Sequence, residues 1–183
     1  MPVLFHTAEV RFKLPHKKEY ETFLQNQVRQ ADDTKLRLNY VFCNDAFLLN
    51  INQQFLNHDT YTDIITFPLS ESEKEIEAEI YISLERIGEN ANKHKVTFEE
   101  ELQRVMFHGV LHLLGFKDKS AEDKKKMRSL ENQWIEAFHK FLRSQKLLWR
   151  LKCSMWNILS ADMNLCRNFK FGNWSKDSKA NNR

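Results

Sequence analysis

The clearest alternation of apolar and polar side chains lies in residues 75–83, where isoleucines and an alanine alternate with glutamates and a tyrosine. A period of two is typical of a β-strand, so this segment predicts a strand with one charged face. Residues 36–43 and 63–69 are rich in β-branched and aromatic side chains and predict two more strands, the later one halted at Pro68. We expect the strands at 63–69 and 75–83 to pair with each other. Alternation within residues 3–12 predicts an opening strand or strand pair.

Other segments repeat their apolar side chains every three or four residues, as amphipathic helices do. The first such helix is predicted to run through about Gln30, with Pro15 where a first helical turn tolerates it. Helix-capping side chains predict four further helix starts, at Asn44, Ser83, Thr97 and Ser120. Glu100 completes a capping box with Thr97, and Gly115 is a natural end for that helix. The last helix is long, and its apolar stripe comprises Met127, Leu130, Trp134, Ile135, Phe138 and Leu142.

The order of these segments predicts an α+β fold, a layered α/β body with a small mixed sheet of about four strands and helices packed on it. The regular patterns end soon after the last stripe. We therefore expect one domain over residues 1–143 and a C-terminal extension over residues 144–183 that is partly helical and then disordered.

Composition favours a folded protein that stays in the cytoplasm. Hydrophobic residues are 42% and charged residues 29%, and the chain has no apolar run of membrane-spanning length and no secretory signal pattern. We expect no membrane partner. The three cysteines are far apart and form no CxxC pair, so they are expected to be reduced. Residues 146–183 hold eight basic and two acidic side chains, which leaves residues 1–145 with a net charge of −3 and no broad positive surface.

The segment FHGVLHLLGFKDK, residues 107–119, carries the most distinctive chemistry. His108 and His112 stand four residues apart in a predicted helix, so their rings project from one face and can bind one metal ion. The helix is otherwise apolar, and two neutral imidazoles in it would need partners for their polar atoms. Gly115 can adopt the positive φ that reverses the chain, which lets Asp118 return toward the imidazoles. A pair of structural histidines without metal is the alternative.

This spacing predicts a metal centre with His108, His112 and Asp118 as ligands, on a metzincin-like metal helix. Three ligands of the N, N and O type leave one tetrahedral position for water, which is typical of catalytic rather than structural zinc. Imidazoles favour zinc over magnesium, so we expect one Zn²⁺ per chain, while manganese, iron and nickel also accept these donors. Zinc would lower the pKa of its water toward ~7 and polarise a phosphoryl or carbonyl oxygen.

The sequence HGVLHLLGFKD resembles the motif HGxLHLxGYDH of the YbeY family, in which three histidines hold zinc. Residues 52–68, NQQFLNHDTYTDIITFP, are similar to that family's segment ending in TDVLSFP, and residues 78–83, AEIYIS, resemble its GDIxIS strand. The blocks follow the family's order, and the resemblance covers about residues 3–142. It implies a cytoplasmic, zinc-dependent endoribonuclease that is specific for single-stranded RNA and acts in rRNA maturation at the 16S 3′ end and in ribosome quality control.

Two positions depart from the family's motifs. In an ungapped alignment Asp118 takes the place of the third histidine, and a gapped alignment would put Lys119 there, whose protonated ammonium has no lone pair to offer. Leu56 stands where many members carry an arginine thought to serve the RNA or its transition state, and leucine cannot stabilise phosphate charge. Lys117 and Lys119 are candidates for binding the substrate instead, with solvated lysines as the alternative.

The resemblance favours a metal-dependent endoribonuclease, a hydrolase of phosphodiester bonds. Its expected partners are single-stranded RNA or rRNA and the small ribosomal subunit or its assembly proteins. A non-catalytic, zinc-containing ribosome-assembly factor is the second hypothesis, because the arginine is missing. A metallopeptidase is the third, although metzincin-like peptidases place a glutamate directly after the first histidine, where this chain has Gly109. No general base is assigned, and Asp63 and Glu79, in the blocks that resemble the family, are candidates.

Overall fold

The computed structural model describes residues 2–32, 35–70 and 75–161 of the 183-residue chain. The strands in these residues are β1 (Val3–Thr7), β2 (Lys35–Cys43), β3 (Ile64–Pro68) and β4 (Glu75–Ser83). The helices are α1 (Lys17–Asp32), α2 (Asp45–Leu56), α3 (Leu84–His94), α4 (Phe98–Leu113) and α5 (Ala121–Ala161). The predicted α+β class and the small sheet are therefore confirmed.

The four strands form one mixed sheet in the order β1, β2, β4, β3. β1 and β4 flank β2 and run parallel to it, while β3 runs antiparallel to β4. The predicted pairing of residues 63–69 with 75–83 is confirmed, since Ile64 lies opposite Ile82. Proline has no amide hydrogen to donate, so Pro68 suits the end of a strand at the edge of this sheet.

The sheet packs against different helices on its two faces. Alternate residues of β2 and β4 enter the main core together with side chains of α1, α4 and the first part of α5. Tyr20 of α1 stacks on Phe138 of α5 within this core, with 4.3 Å between the ring centroids. On the opposite face Leu48 of α2 packs with Ile65 of β3. The helix that carries both histidines, α4, thus lies on one face of the sheet, behind β3 and β4.

Side-chain caps begin four helices where the sequence predicts them. Each cap accepts a hydrogen bond from an amide that the first helical turn leaves unpaired. The caps are Asn44 before α2, Ser83 before α3, Thr97 with Glu100 before α4, and Ser120 before α5. The position of α4, and with it the histidine pair, is therefore set by local sequence signals.

Two N-terminal boundaries differ from the prediction. β1 ends at Thr7, because Glu9 has a φ of 59° that turns the chain out of the strand. α1 begins at Lys17, two residues after Pro15, because His16 has a φ of 57° that a right-handed helix does not accept. Both turns use positive φ at residues that carry a β-carbon, which a sequence pattern does not indicate.

The chain separates into two compact units, Met1–Leu142 and Arg143–Arg183. In the second unit the structure describes helix up to Ala161. The expected disordered end of the extension falls in residues 162–183, outside the described residues. The division into a catalytic domain over 1–143 and an extension over 144–183 stays a prediction.

Candidate metal centre

Helix α4 brings the two histidines together as their spacing predicts. His108 and His112 lie one turn apart on the same face, and their rings are nearly perpendicular, with 4.4 Å between centroids. Their Nε2 atoms are 2.9 Å apart. Two ring nitrogens of one helix therefore point at the same small volume.

The turn after α4 returns the chain toward this volume. Gly115 has a φ of 87°, which glycine adopts without the steric cost of a β-carbon. Its amide donates to the carbonyl of His112 at 2.9 Å, and the amide of Phe116 donates to the carbonyl of Leu111 at 3.1 Å, which is a Schellman motif. This turn places Oδ2 of Asp118 3.8 Å from Nε2 of His112. One potential ligand atom from each of His108, His112 and Asp118 lies within 4.8 Å of the others.

Acceptor oxygens on the far side of each ring favour a proton on Nδ1. Nδ1 of His112 lies 2.9 Å from the carbonyl oxygen of Phe116, and Nδ1 of His108 lies 2.9 Å from Oε1 of Glu131. Both oxygens only accept, so both Nδ1 atoms donate. A neutral imidazole has one N–H, so both Nε2 atoms then present lone pairs to each other. Two imidazole nitrogens and a nearby carboxylate oxygen form a donor set that fits a metal ion.

Glu131 is the site residue that sequence reasoning misses. Its side chain is 7% exposed, and besides His108 it bonds Arg104, whose Nη1 lies 3.1 Å from Oε2. Burial alone would raise the pKa of Glu131, but the hydrogen bonds from His108 and Arg104 outweigh burial and hold the pKa below its ordinary value. A sequence signal did exist: position 131 falls between Met127 and Trp134 in the apolar stripe of α5, where a charged residue needs buried partners.

The histidine pair opens into a cleft of about 390 Å³. The other residues that line it are Leu113 of α4 and, from β3, Ile64, Thr66 and Pro68. The side chains of His108, His112 and Asp118 are 23%, 35% and 43% exposed. The edge strand therefore forms the wall opposite the candidate ligands, and the centre is accessible from solvent.

The two candidate general bases lie elsewhere. Asp63, just before β3, accepts a hydrogen bond at 3.1 Å from the amide of Asn90 on α3. Glu79 accepts one at 2.8 Å from the hydroxyl of Tyr81. Side chains alternate between the faces of a strand, and Ile80 is the β4 residue that approaches α4, so Glu79 faces away from the histidines. Neither carboxylate lines the cleft at the histidine pair.

The candidate substrate-binding lysines flank Asp118 in the loop between α4 and α5. Lys117 and Lys119 are both exposed, and their part in binding a substrate stays a prediction. Leu56 is the last residue of α2, and its side chain lies outside the described residues.

The structure combines a mixed four-stranded sheet with two histidines on one helix and the carboxylate of Asp118 after that helix. These features define the class, which is an α/β protein with a candidate two-histidine, one-carboxylate metal centre. The chain belongs to the YbeY family, because the family's sequence model, described as Endoribonuclease YbeY, matches residues 6–139. This confirms the family that the motif blocks indicate.

Two relatives named Endoribonuclease YbeY match over nearly their whole length. The protein of Flavobacterium psychrophilum is 47% identical over 131 residues, which cover 72% of this chain and 93% of the relative. That of Amoebophilus asiaticus is 41% identical, with 74% and 92% covered. The solution structure of TM1509 from Thermotoga maritima is similar at a TM-score of 0.56 and 27% identity, and the match covers 78% of this chain and 93% of that one.

The described helices include none that combines the length and the apolar character needed to cross a membrane.

Proposed function

We propose that this protein is a zinc-dependent endoribonuclease that cuts single-stranded RNA at the centre formed by His108, His112 and Asp118. The observation that carries the proposal is the convergence of the two Nε2 atoms, 2.9 Å apart, beside the Asp118 carboxylate. RNA as the substrate is supported by the relatives, which are named as endoribonucleases. The activity is the cleavage of phosphodiester bonds.

In this proposal the protein's own residues hold the ion and shape its surroundings. A bound Zn²⁺ would supply Lewis acidity toward a phosphoryl oxygen and would acidify water. The carboxylate of Asp118 adds a negative charge that a third imidazole would not, so the ion keeps less net positive charge. The lining residues of the cleft include no carboxylate, so the proposal gives Asp63 and Glu79 no part in proton transfer.

The path of the RNA follows β3. A second cleft of about 310 Å³ shares Ile64 and Thr66 with the first. The polar residues that it adds are Asn52, His58, Thr60 and Thr62, which can form hydrogen bonds but lack the fixed charge of lysine or arginine. Two adjoining clefts along one strand suit an extended single strand, whose bases can turn outward, better than a rigid duplex.

We extend the proposal to rRNA maturation and ribosome quality control, with the small subunit or its assembly proteins as partners. The net charge of −3 over residues 1–145 supports this extension, because such a body gains little affinity from a general attraction to phosphates. A protein partner would then place the RNA at the centre.

The test is metal content together with RNA cleavage. Native mass spectrometry should show one zinc per chain in the wild type and none in His112→Ala, while His6→Ala, which removes an exposed histidine outside the centre, keeps the metal. The wild type should cut a labelled single-stranded RNA and spare its duplex and casein, and a chelator should abolish the cutting until zinc is restored.

Each failure has its own meaning. Equal metal content in the wild type and His112→Ala would remove the assigned centre. Zinc binding without RNA cleavage would favour the assembly factor, and cleavage that persists in His108→Ala would trace to a contaminating nuclease.

A further inference from the structure

Glu131 is a buried carboxylate outside the proposed ligand set. It lies on α5 and is 5% exposed as a residue. A buried carboxylate is stable only when its oxygens have hydrogen-bond or charged partners. Glu131 has three such partners, which are His108, Arg104 and Arg128.

The two oxygens of Glu131 serve different partners. Oε2 lies 3.1 Å from Nη1 of Arg104 and 3.3 Å from Nη1 of Arg128. Oε1 lies 2.9 Å from Nδ1 of His108. A guanidinium only donates, so both arginines hold Oε2 as an acceptor and leave Oε1 for the imidazole.

We propose that Glu131 is a positioning residue, which accepts the Nδ1 proton of His108 and thereby keeps the Nε2 lone pair directed at the metal site. The inference rests on the proposed function, since it assigns a role toward the metal. A carboxylate behind a ligand histidine fixes both the tautomer and the ring orientation. Arg104 and Arg128 hold that carboxylate in place, so the arrangement extends from α5 through Glu131 to the ligand on α4.

A purely structural role for Glu131 makes a different prediction. If the carboxylate only neutralised the two arginines, replacing it would lower the stability of the fold but leave the histidine tautomer unchanged. The decisive readout is therefore the position of the proton on His108, measured on the metal-free chain.

Glu131→Gln is the sharpest variant, because glutamine keeps the shape but has one accepting and one donating end. Arg104 and Arg128 would take the amide oxygen, which turns the amide nitrogen toward Nδ1 of His108. Nδ1 must then accept, so the proton moves to Nε2 and blocks the ligand atom. We expect the Kd for zinc of the full chain to rise by about 10- to 100-fold. Nitrogen NMR of histidine-labelled protein should show the tautomer change directly.

Arg128→Gln is the matched control. Its side chain is 52% exposed, and its loss removes one contact to Oε2 while the bond from Oε1 to His108 remains. We expect this variant to keep the wild-type tautomer and a Kd within about 3-fold of the wild type, since it leaves the bond to the ligand histidine intact.

The outcomes separate this inference from the proposed function. Wild-type zinc affinity and tautomer in Glu131→Gln would overturn the positioning role and leave the metal centre standing. A wild type that binds no zinc would overturn both. If Glu131→Gln fails to fold, the metal-free wild type decides alone: a proton on Nδ1 of His108 supports the inference, and a proton on Nε2 overturns it.

Discussion

A β-carbon on Gly109 would lie 2.9 Å from Cδ1 of Ile64, closer than real side chains approach. Gly109 directly follows His108, the first candidate ligand, at the position that peptidases with the HExxH motif give to a catalytic glutamate. Here that position faces β3 and β4, where Thr66 and Ile80 would also be within 3.4 Å of the added carbon. The glycine therefore allows α4 to lie close on the sheet, and a glutamate there would collide with side chains of β3 and β4.

The close approach predicts unequal effects for alanine at two helical glycines. Gly88 of α3 has no atom near its would-be β-carbon, so Gly88→Ala should stabilise the protein by about 0.5–1 kcal/mol through helix propensity. Gly109→Ala gains the same propensity but must displace Cδ1 of Ile64, so we expect it to be less stable than Gly88→Ala by about 1 kcal/mol. Urea denaturation measures both. Equal stabilisation by the two substitutions would contradict the packing of α4 on β3.

Local signals made much of this fold predictable. The caps at Asn44, Ser83 and Thr97 mark helix starts because each side chain pairs with an amide only a few residues away. The strand order does not follow from such local signals, since β2 pairs with β4 although a helix and a strand lie between them in the sequence. Alternation shows that a strand has a buried face but not which strand lies beside it, so the sequence left this order open.

The candidate centre was predictable for the same reason, and only in part. His108, His112 and Asp118 lie within eleven residues, so helical spacing and one glycine turn suffice to bring them together. Glu131 contacts His108 from another helix, 23 residues further along the chain. Spacing along the sequence does not predict which residues of two different helices meet. The predicted apolar stripe includes Leu130 and not Glu131, yet in the structure Leu130 is partly exposed and Glu131 is buried.

The conformation of Gly115 predicts a coupled loss of stability and metal affinity. Any residue with a β-carbon is strained at a φ of 87°, so Gly115→Ala should lose about 1–2 kcal/mol. Since this turn also directs Asp118 back to the histidines, the variant should bind zinc more weakly. Urea denaturation and a competitive zinc titration measure the two effects. Full zinc affinity in a destabilised variant would show that the turn does not position Asp118.

Because Asp118 lies near Nε2 of His112, we predict that alanine and histidine at position 118 will affect zinc affinity differently. Asp118→Ala removes the proposed third ligand and should lower zinc affinity by about 10-fold or more, whereas Asp118→His supplies another ligand atom and should retain the metal. Lys119→Ala is the control, because an exposed ammonium next to the ligand should leave metal content unchanged. Loss of metal in Lys119→Ala but not in Asp118→Ala would reassign the third ligand.

The Asp45 carboxylate, which joins α2 to α3, predicts a dependence of stability on pH. Burial alone would raise the pKa of Asp45, but hydrogen bonds from Arg86 and Ser83 outweigh burial and lower it. A lowered folded-state pKa gives stability that is present above the unfolded value of ~3.9 and is lost as the pH falls through the folded value. Asp45→Asn should therefore lose about 1–3 kcal/mol at neutral pH, and the difference from the wild type should shrink in acid.

Glu89→Gln is the control for that experiment. Glu89 also pairs with Arg86, at 2.9 Å, but its side chain is 63% exposed against 15% for Asp45. An exposed pair contributes little, so this variant should match the wild type within about 0.5 kcal/mol at every pH. A difference between Asp45→Asn and the wild type that persists undiminished in acid would show that the carboxylate charge is not its source.

The last prediction concerns the phosphate contact that Leu56 cannot make. Leu56 stands where many family members carry an arginine thought to serve the RNA or its transition state, so an arginine introduced there restores that cation. If transition-state charge lacks a partner in this chain, Leu56→Arg should raise kcat/KM on single-stranded RNA by roughly 10-fold or more. The added phosphate contact should also steepen the salt dependence of binding by about 0.7 in the log–log slope. Gln54→Arg adds the same charge at an exposed position on another face of α2 and should change both quantities far less. Equal gains in the two variants would mean that general attraction, rather than a contact at the reacting phosphate, limits the cleavage.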